Sequence, residues 1–381
     1  MEVYEIARSL LCAPYAVKAD GAVLSADGKE TDWTGVKKVS GRLALRWDGR
    51  VLTDGWWPER VDAIAEWRNV KDVCSCRSFE GGLLENGDLT WVNVGSIGQL
   101  RYGHKAADWT DVERLVITRD PYDHQQSYAD YAVGFRADGT VRVAYMGGGE
   151  DRSREIEGLL NSIGGVKKIS EDCRALSAEG KIYDFGTRRM GKVEKGVFAD
   201  FDLPAKDGAV MGCDGCVLLE SGTVQVPEGT YEAAHGPEWH DILTLSAAFL
   251  PIETGRHILM ALRKDGRVLL AERYGNEPAD TSDWKIFDSL DTLPGEREAE
   301  QERCIAEGLR LDREEEQAQT KALKQLVEER LYTKQALERL KKELDETHGL
   351  FSGGRRKKLE EDIAFQEQRL SELETELKKH Q

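Results

Sequence analysis

Cys213-Asp-Gly-Cys216 is the pair of side chains in this chain best spaced for chemistry. A C-x-x-C offers two thiols to one zinc ion, or to one redox disulfide. A structural zinc wants a second pair of ligands, and the nearest histidines, His235 and His240, have no defined geometry toward it. Cys216 also opens an apolar stretch running to Leu219, where a buried thiol is ordinary. Cys74 and Cys76 share one face of an extended strand, and burial explains them equally well. We therefore expect structural thiols, with no metal ligand and no cofactor.

The segment between Val116 and Tyr131 is longer than a β-hairpin needs. It reads Thr118-Arg-Asp-Pro-Tyr122-Asp-His124-Gln-Gln-Ser-Tyr128-Ala-Asp130. Long loops on a rigid frame carry binding more often than the frame does. Tyr122 and Tyr128 offer contact area at low entropic cost, and His124 could tune the site; a neutral surface insertion is the competing reading. A second candidate lies near the C-terminal end, where Leu350 and Phe351 precede Arg355, Arg356, Lys357 and Lys358. Those residues suit contact with an acidic partner or surface, or simply a solvated helical turn. Trp56-Trp57-Pro58 is a further aromatic patch, equally readable as packing filler.

No nucleotide-binding glycine loop, nucleophile elbow, zinc-protease motif or kinase set is present. Scattered carboxylates leave a hydrolase site open, so enzymatic activity is uncertain and no catalytic residue is assigned. The net charge of −17 opposes general binding to a phosphate backbone. The acidic opening Met1-Glu-Val-Tyr-Glu lacks the basic region of a signal peptide, and no apolar run is long enough to span a bilayer. Seven cysteines, an odd number, suit a reducing compartment. These features together point to the cytoplasm.

One unit recurs through the first 290 or so residues: Trp, apolar residues three and six positions later, then an apolar strand ending in Asp-Gly. Trp33 leads to Val36, Val39, Leu43-Ala-Leu45 and Asp48-Gly49. Trp67 leads to Val70, Val73, Leu83-Leu84 and Asn86-Gly87. Trp109 and Trp239 open equivalent units that turn at Asp138-Gly139 and Asp265-Gly266. Two units are degraded. One begins at Ile163 and turns at Glu179-Gly180; the other turns at Ser221-Gly222, with an opening strand expected around Phe198 to Leu203.

The two ends supply halves of a seventh unit. Tyr15 to Leu24 contains a hairpin turning at Asp20-Gly21 with no Trp strand before it, and Trp284 to Phe287 contains an opening strand with no hairpin after it. Pairing them would close a ring and remove two sheet edges. The Asp-Gly and Asn-Gly turns supply the positive φ angles of two-residue hairpins. Turn spacing near the ~40 residues of a four-stranded blade completes the expectation of an all-β, seven-bladed β-propeller over residues 1–290. A β-sandwich is the alternative, but it has no reason to repeat Trp with the same downstream pattern.

This pattern resembles the RCC1-like propeller repeats, particularly divergent bacterial versions. The best match is Gly255-Arg-His257-Ile-Leu-Met-Ala-Leu-Arg-Lys-Asp265-Gly266-Arg-Val268, where His257 falls on the family's inner-strand histidine. Gly95-Ser-Ile-Gly98-Gln99 before Trp109 resembles the family's linker between blades. Most other units lack that Gly and His, so the resemblance is to a divergent branch. The resemblance implies a propeller used for binding and brings over no catalytic site; exchange activity on a small GTPase does not follow from fold.

From Glu296 the composition shifts to Glu, Lys, Arg, Gln and Leu, with Pro294-Gly295 at the seam. Leu323, Arg330, Leu337 and Leu344 are spaced by seven, with Leu326, Thr333 and Leu340 as companions. Ile363, Leu370 and Leu377 repeat the spacing beside Leu359, Gln366 and Leu373. Residues 296–381 thus read as an antiparallel coiled-coil hairpin turning at 349–354. The outgoing helix would run roughly 75 Å and the return roughly 39 Å, leaving Glu300 to Gln319 uncovered. That stretch must be solvated, pack on the propeller or form a homodimer. The function expected is a protein–protein interaction scaffold, the propeller face binding one partner and the coiled coil giving a second contact. The alternative is a propeller enzyme or carbohydrate-binding protein with its site at the channel mouth.

Overall fold

The computed structural model describes residues 3–27, 29–54, 58–75, 79–93, 109, 111–119, 130–145, 150–169, 173–179, 181–185, 199–200, 209–213, 216–226, 231, 239–249, 257–273, 281–347 and 353–379. It divides into two units, Met1–Ile305 and Ala306–Gln381.

The first unit is mostly β, in seven small antiparallel sheets among the described residues. After helix α1 (Val3–Arg8), sheet one holds β1 (Leu11–Cys12), β2 (Tyr15–Val17) and β3 (Val23–Ser25). Sheet two holds β4 (Val36–Ser40), β5 (Leu43–Arg46) and β6 (Val51–Thr53), followed by α2 (Pro58–Ala65). Sheet three holds β7 (Val70–Ser75), β8 (Phe79–Leu84) and β9 (Leu89–Asn93). Sheet four holds β10 (Arg114–Arg119), β11 (Asp130–Phe135) and β12 (Val141–Tyr145), followed by α3 (Glu150–Ser162). Sheet five has four strands, β13 (Val166–Ile169), β14 (Arg174–Ser177), β15 (Ile182–Asp184) and β16 (Ala199–Asp200). Sheet six holds β17 (Ala209–Cys213), β18 (Cys216–Leu219) and β19 (Val224–Gln225). Sheet seven holds β20 (Ile242–Phe249), β21 (His257–Arg263) and β22 (Val268–Glu272).

Six of the seven sheets have three strands among the described residues. Two sequence expectations are corrected here. The opening strand of the sixth unit is β17, not a strand near Phe198; Ala199–Asp200 instead pairs with β15. The Asp-Gly turns are also not two-residue loops. In the turn at Asp48, Gly49 N–H donates to Arg46 O at 3.2 Å, and Arg46 N–H donates to Arg50 O at 2.9 Å. Only the glycine has positive φ, +77°, and the Asp48 carboxylate accepts from Arg50 N–H at 3.1 Å. This is a three-residue loop ending in a glycine bulge. The carboxylate holds its own turn, which is why Asp or Asn precedes the glycine.

A second feature recurs two residues after Trp33, Trp67 and Trp239, though not after Trp109. Gly35, Asn69 and Asp241, with Gly165 in a degraded unit, all have positive φ. Register shifts follow at Val36/Lys38, Val70/Asp72, Val166/Lys168 and Ile242/Thr244. The bulge turns a main-chain carbonyl out of the ladder. Basic side chains meet these carbonyls: Lys37 Nζ reaches Lys71 O at 3.5 Å, Arg114 Nη2 reaches Lys167 O at 3.2 Å, and Arg8 Nε reaches Leu243 O at 3.0 Å.

The core is laminated between successive sheets. Trp33, Trp67, Trp109 and Trp239 are all buried. Leu43, Leu45 and Val51 of sheet two pack with Trp67, Val70 and Val73. Cys74 and Leu83 pack with Trp109, Val112 and Leu115. One cluster joins sheet one to sheet seven, bringing Ala16, Val17 and Val23 together with Ile258, Met260, Val268 and Ile286. Ala13 N–H donates to Ser246 Oγ at 2.8 Å, and Ala19 N–H donates to Ile286 O at 2.8 Å.

Buried polar groups tie sheets together as well. The Asp72 carboxylate accepts from Lys38 of sheet two at 2.5 Å and from Leu115 N–H of sheet four at 2.9 Å. One carboxylate therefore spans three sheets. Asp72→Asn replaces an acceptor oxygen with a donor and strands one partner, which should cost about 2 kcal/mol. A urea midpoint unchanged from wild type would contradict that role.

Helix α4 (Leu293–Glu346) begins in the first unit and ends in the second, where α5 (Gly353–Lys379) follows. Within the second unit Thr333, Leu337, Leu359 and Leu373 are buried. Ion pairs join the two helices: Glu343 meets Arg355 at 2.7 Å, Lys341 meets Glu367 at 2.7 Å, and Glu329 meets Arg369 at 2.6 Å. No described helix is long and apolar enough to cross a membrane.

Candidate functional site

Of the residues singled out for binding, Tyr122, His124, Tyr128, Leu350 and Phe351 lie outside the described residues, as do Trp56 and Trp57. Arg355 and Arg356 stand in the first turn of α5, their side chains 70% and 57% exposed. Arg355 pairs with Glu343, and Arg356 pairs with Glu360 at 3.4 Å. Both cations therefore already have carboxylate partners within their own unit.

The long connection that holds Tyr122, His124 and Tyr128 is shorter than the sequence alone suggested. β10 and β11 pair without interruption from Arg114↔Phe135 to Arg119↔Asp130. Thr118 is buried, its hydroxyl accepting from Cys173 N–H at 2.6 Å, so it is structural. The connection proper is 120–129.

The strand that follows it opens on a fixed aromatic group. Tyr131 stacks on Tyr145 with centroids 4.9 Å apart and meets Phe185 edge-on at 6.0 Å. Arg152 of α3 donates from Nε to the Tyr131 hydroxyl at 3.3 Å and pairs with Glu155 at 3.0 Å. Tyr131 is 1% exposed, so the ring anchors the hairpin and does not itself offer a contact surface. Sequence reasoning stopped at Tyr131 as a boundary; the signal missed was the pairing of Tyr131 with Tyr145 across a β-ladder.

A second polar group gathers at the end of sheet seven. Arg273 Nη1 lies 3.3 Å from His257 Nδ1, and the buried Tyr231 hydroxyl lies 3.5 Å from the same nitrogen. The His257 ring is thus positioned between Arg273 and Tyr231 at the end of sheet seven.

The cysteine pair behaves as expected from a hairpin. Cys213 and Cys216 are direct partners across β17 and β18, and Cys216 is fully buried. Among the described residues no group of His, Cys, Asp and Glu is arranged to hold a metal ion.

A buried, multiply bonded polar side chain lies where sequence reasoning passed over it. Arg297, in the second turn of α4, is 4% exposed. Its guanidinium donates to Lys18 O at 3.1 Å, Val36 O at 2.9 Å and Lys37 O at 3.2 Å, and lies 5.1 Å from the Trp47 ring. Burial pushes its pKa down to about 10, still far enough above neutrality to keep the charge. Glu300 and Cys304, one and two turns on, are also buried. A Cβ at Gly35 would meet Cys304 Sγ at 2.7 Å, so only glycine lets the helix approach. Of the stretch expected to lie uncovered, Glu300 and Cys304 are packed, while Leu309 is 52% exposed.

No protein-family model matches this chain, and no curated protein matches it. Among solved structures it is similar to the computationally designed Ika8 protein at 14% identity, covering 70% of this chain and 82% of that one, with a TM-score of 0.32. It is similar to Prp20p from Saccharomyces cerevisiae at 16% identity, covering 61% and 70%, with a TM-score of 0.35. The same yeast protein, named RCC1 (Prp20), in complex with Kap60 gives 16% identity, 61% and 68%, and 0.33. Prp20p has described binding properties to Gsp1p and histones. Scores this low fix neither a blade count nor a shared partner.

Proposed function

We propose that this chain is a protein-interaction scaffold: a closed ring of seven sheets joined to a coiled-coil hairpin that presents a binding surface. The observation that carries the reading is a set of large apolar side chains held in solvent on α4 and α5. Val327 is 49% exposed, Leu331 57%, Tyr332 73% and Phe365 66%. The charged residues around them are tied to one another, Arg369 to Glu329 and Arg330 to Glu374 at 3.2 Å. Ion pairs link the two helices that carry these apolar groups, so less backbone order has to be gained on binding. Exposed aromatic and aliphatic anchors on helices suit a partner's apolar groove.

Ring closure is supported by the core shared between sheets one and seven, and by the bond from Ala19 to Ile286. The test compares wild type with a Tyr332→Ala/Phe365→Ala double variant in quantitative affinity purification. Recovery of the same co-purifying protein should drop tenfold or more in the variant. Equal recovery by both chains, or recovery of bait alone by wild type, would defeat the proposal.

A further inference from the structure

Strand β12 is the edge of sheet four, and its outward N–H groups have no strand to pair with in the described structure. They are not left to water. Val141 N–H donates to Asn161 Oδ1 at 2.8 Å, Val143 N–H to Glu157 Oε2 at 2.8 Å, and Tyr145 N–H to Ser153 Oγ at 2.9 Å. Asn161 completes the pattern by donating from Nδ2 to Val141 O at 3.0 Å, as a backbone amide would.

The spacing explains the fit. The three acceptors are four residues apart on α3, a rise of about 6 Å per step. The three donors are two residues apart on β12, about 6.8 Å per step. A helix with acceptors at every fourth position thus matches a strand edge at every second residue, running antiparallel to it. Ile156 and Leu160, on the face between, are buried with Val133, Val143 and Val166.

We infer that α3 is an edge-strand surrogate, and that its side-chain ladder keeps β12 from pairing with a second copy of this chain. The partner follows from the strand itself. In an antiparallel pair the N–H and C=O of alternate residues point the same way, so Val141, Val143 and Tyr145 present both. Two copies related by a two-fold axis at Val143 would match Val141 with Tyr145 and Val143 with itself. Val-Arg-Val-Ala-Tyr contains no proline and no acidic residue to oppose that pairing. A charged edge is the usual safeguard, and here the guard is a helix.

The test is a full-length Ser153→Ala/Glu157→Ala/Asn161→Ala variant. Alanine keeps helix propensity, so α3 stays helical but loses the bonds that pin it to the strand edge, and with only Ile156 and Leu160 fully buried to hold it α3 can lift off and expose β12. Hydrogen exchange at Val141, Val143 and Tyr145 should speed up at least tenfold in dilute solution. Mass by light scattering should rise toward twice the monomer with concentration, and protection at the three amides should return. Unchanged exchange would overturn the ladder. Fast exchange in a strict monomer at high concentration would overturn self-pairing. If the triple variant lacks a cooperative melt, Glu157→Ala is read the same way against Glu157→Gln, which keeps an acceptor and should stay wild-type.

Discussion

Arg297→Met should lower the midpoint of thermal unfolding by roughly 5–10 °C, while an exposed control such as Arg310→Met should leave it within error. The guanidinium donates to the carbonyls of Lys18, in the turn after β2, and of Val36 and Lys37 in β4; Lys18 O keeps a second donor, Gly21 N–H at 2.9 Å, when the guanidinium is gone. Leaving buried acceptors unsatisfied costs about 1–3 kcal/mol for a group, and the shared burial makes about 3 kcal/mol a fair total. Methionine fills much of the volume, so the loss reads hydrogen bonding more than a cavity. Arg297→Lys should recover only part, because one ammonium cannot fork across carbonyls on two strands. A melt for Arg297→Met that overlays wild type would show that α4 adds nothing to the sheets beneath it.

The position of Arg297 also completes a repeated device. Bulge carbonyls at Lys71, Lys167 and Leu243 are met by Lys37, Arg114 and Arg8, each from a neighbouring part of the first unit. The carbonyl of Lys37 has its cation supplied by α4, nearly the whole length of the unit away in sequence. That is why a stretch composed like a solvated helix begins with buried Arg297 and Glu300. Composition alone places these residues with the charged tail. Only the fold shows that the tail's first turns belong to the sheets.

The same contrast runs through what could be read in advance. Trp at a fixed distance before Val-x-x-Val was legible because an indole between sheets leaves a compositional mark. The Gly, Asn or Asp two residues after Trp33, Trp67 and Trp239 encodes the positive φ before each bulge, but the same spacing at Asp111 after Trp109 does not, so residue type alone does not announce a bulge. Helix α3 was not legible: Ile156 and Leu160 are its only fully buried apolar side chains, and the remaining contacts are a polar ladder that hydrophobic periodicity cannot register. The candidate contacts Arg355 and Arg356 were found as a charge run, but sequence does not show that Glu343 and Glu360 stand opposite them.

Gly266→Ala and Gly139→Ala should differ by roughly 1–3 kcal/mol although the two turns have the same local shape. Both glycines close Asp-Gly turns, with φ of +83° and +80°, so alanine at either carries the same left-handed strain of about 1–2 kcal/mol. Around Gly139 a Cβ would have nothing within 4 Å. At Gly266 it would lie 2.0 Å from Phe287 O and 3.0 Å from the Phe287 ring. The carbonyl cannot simply move away, because the neighbouring chain is pinned on both sides: Ile286 N–H donates to Gly266 O at 2.9 Å, and Ile286 O accepts from Ala19 N–H. Relief therefore requires separating the Trp284–Phe287 segment from sheet seven, from sheet one, or from both. Overpacking of this kind adds roughly 1–3 kcal/mol, so Gly266→Ala should cost about 2–5 kcal/mol against about 1–2 kcal/mol for Gly139→Ala. Amide exchange at Ala19 and Ile286 should rise in the first variant and not in the second. Equal destabilisation of the two would mean that the Trp284 segment does not bear on Gly266, and the proposed junction between the first and last sheets would lose its support.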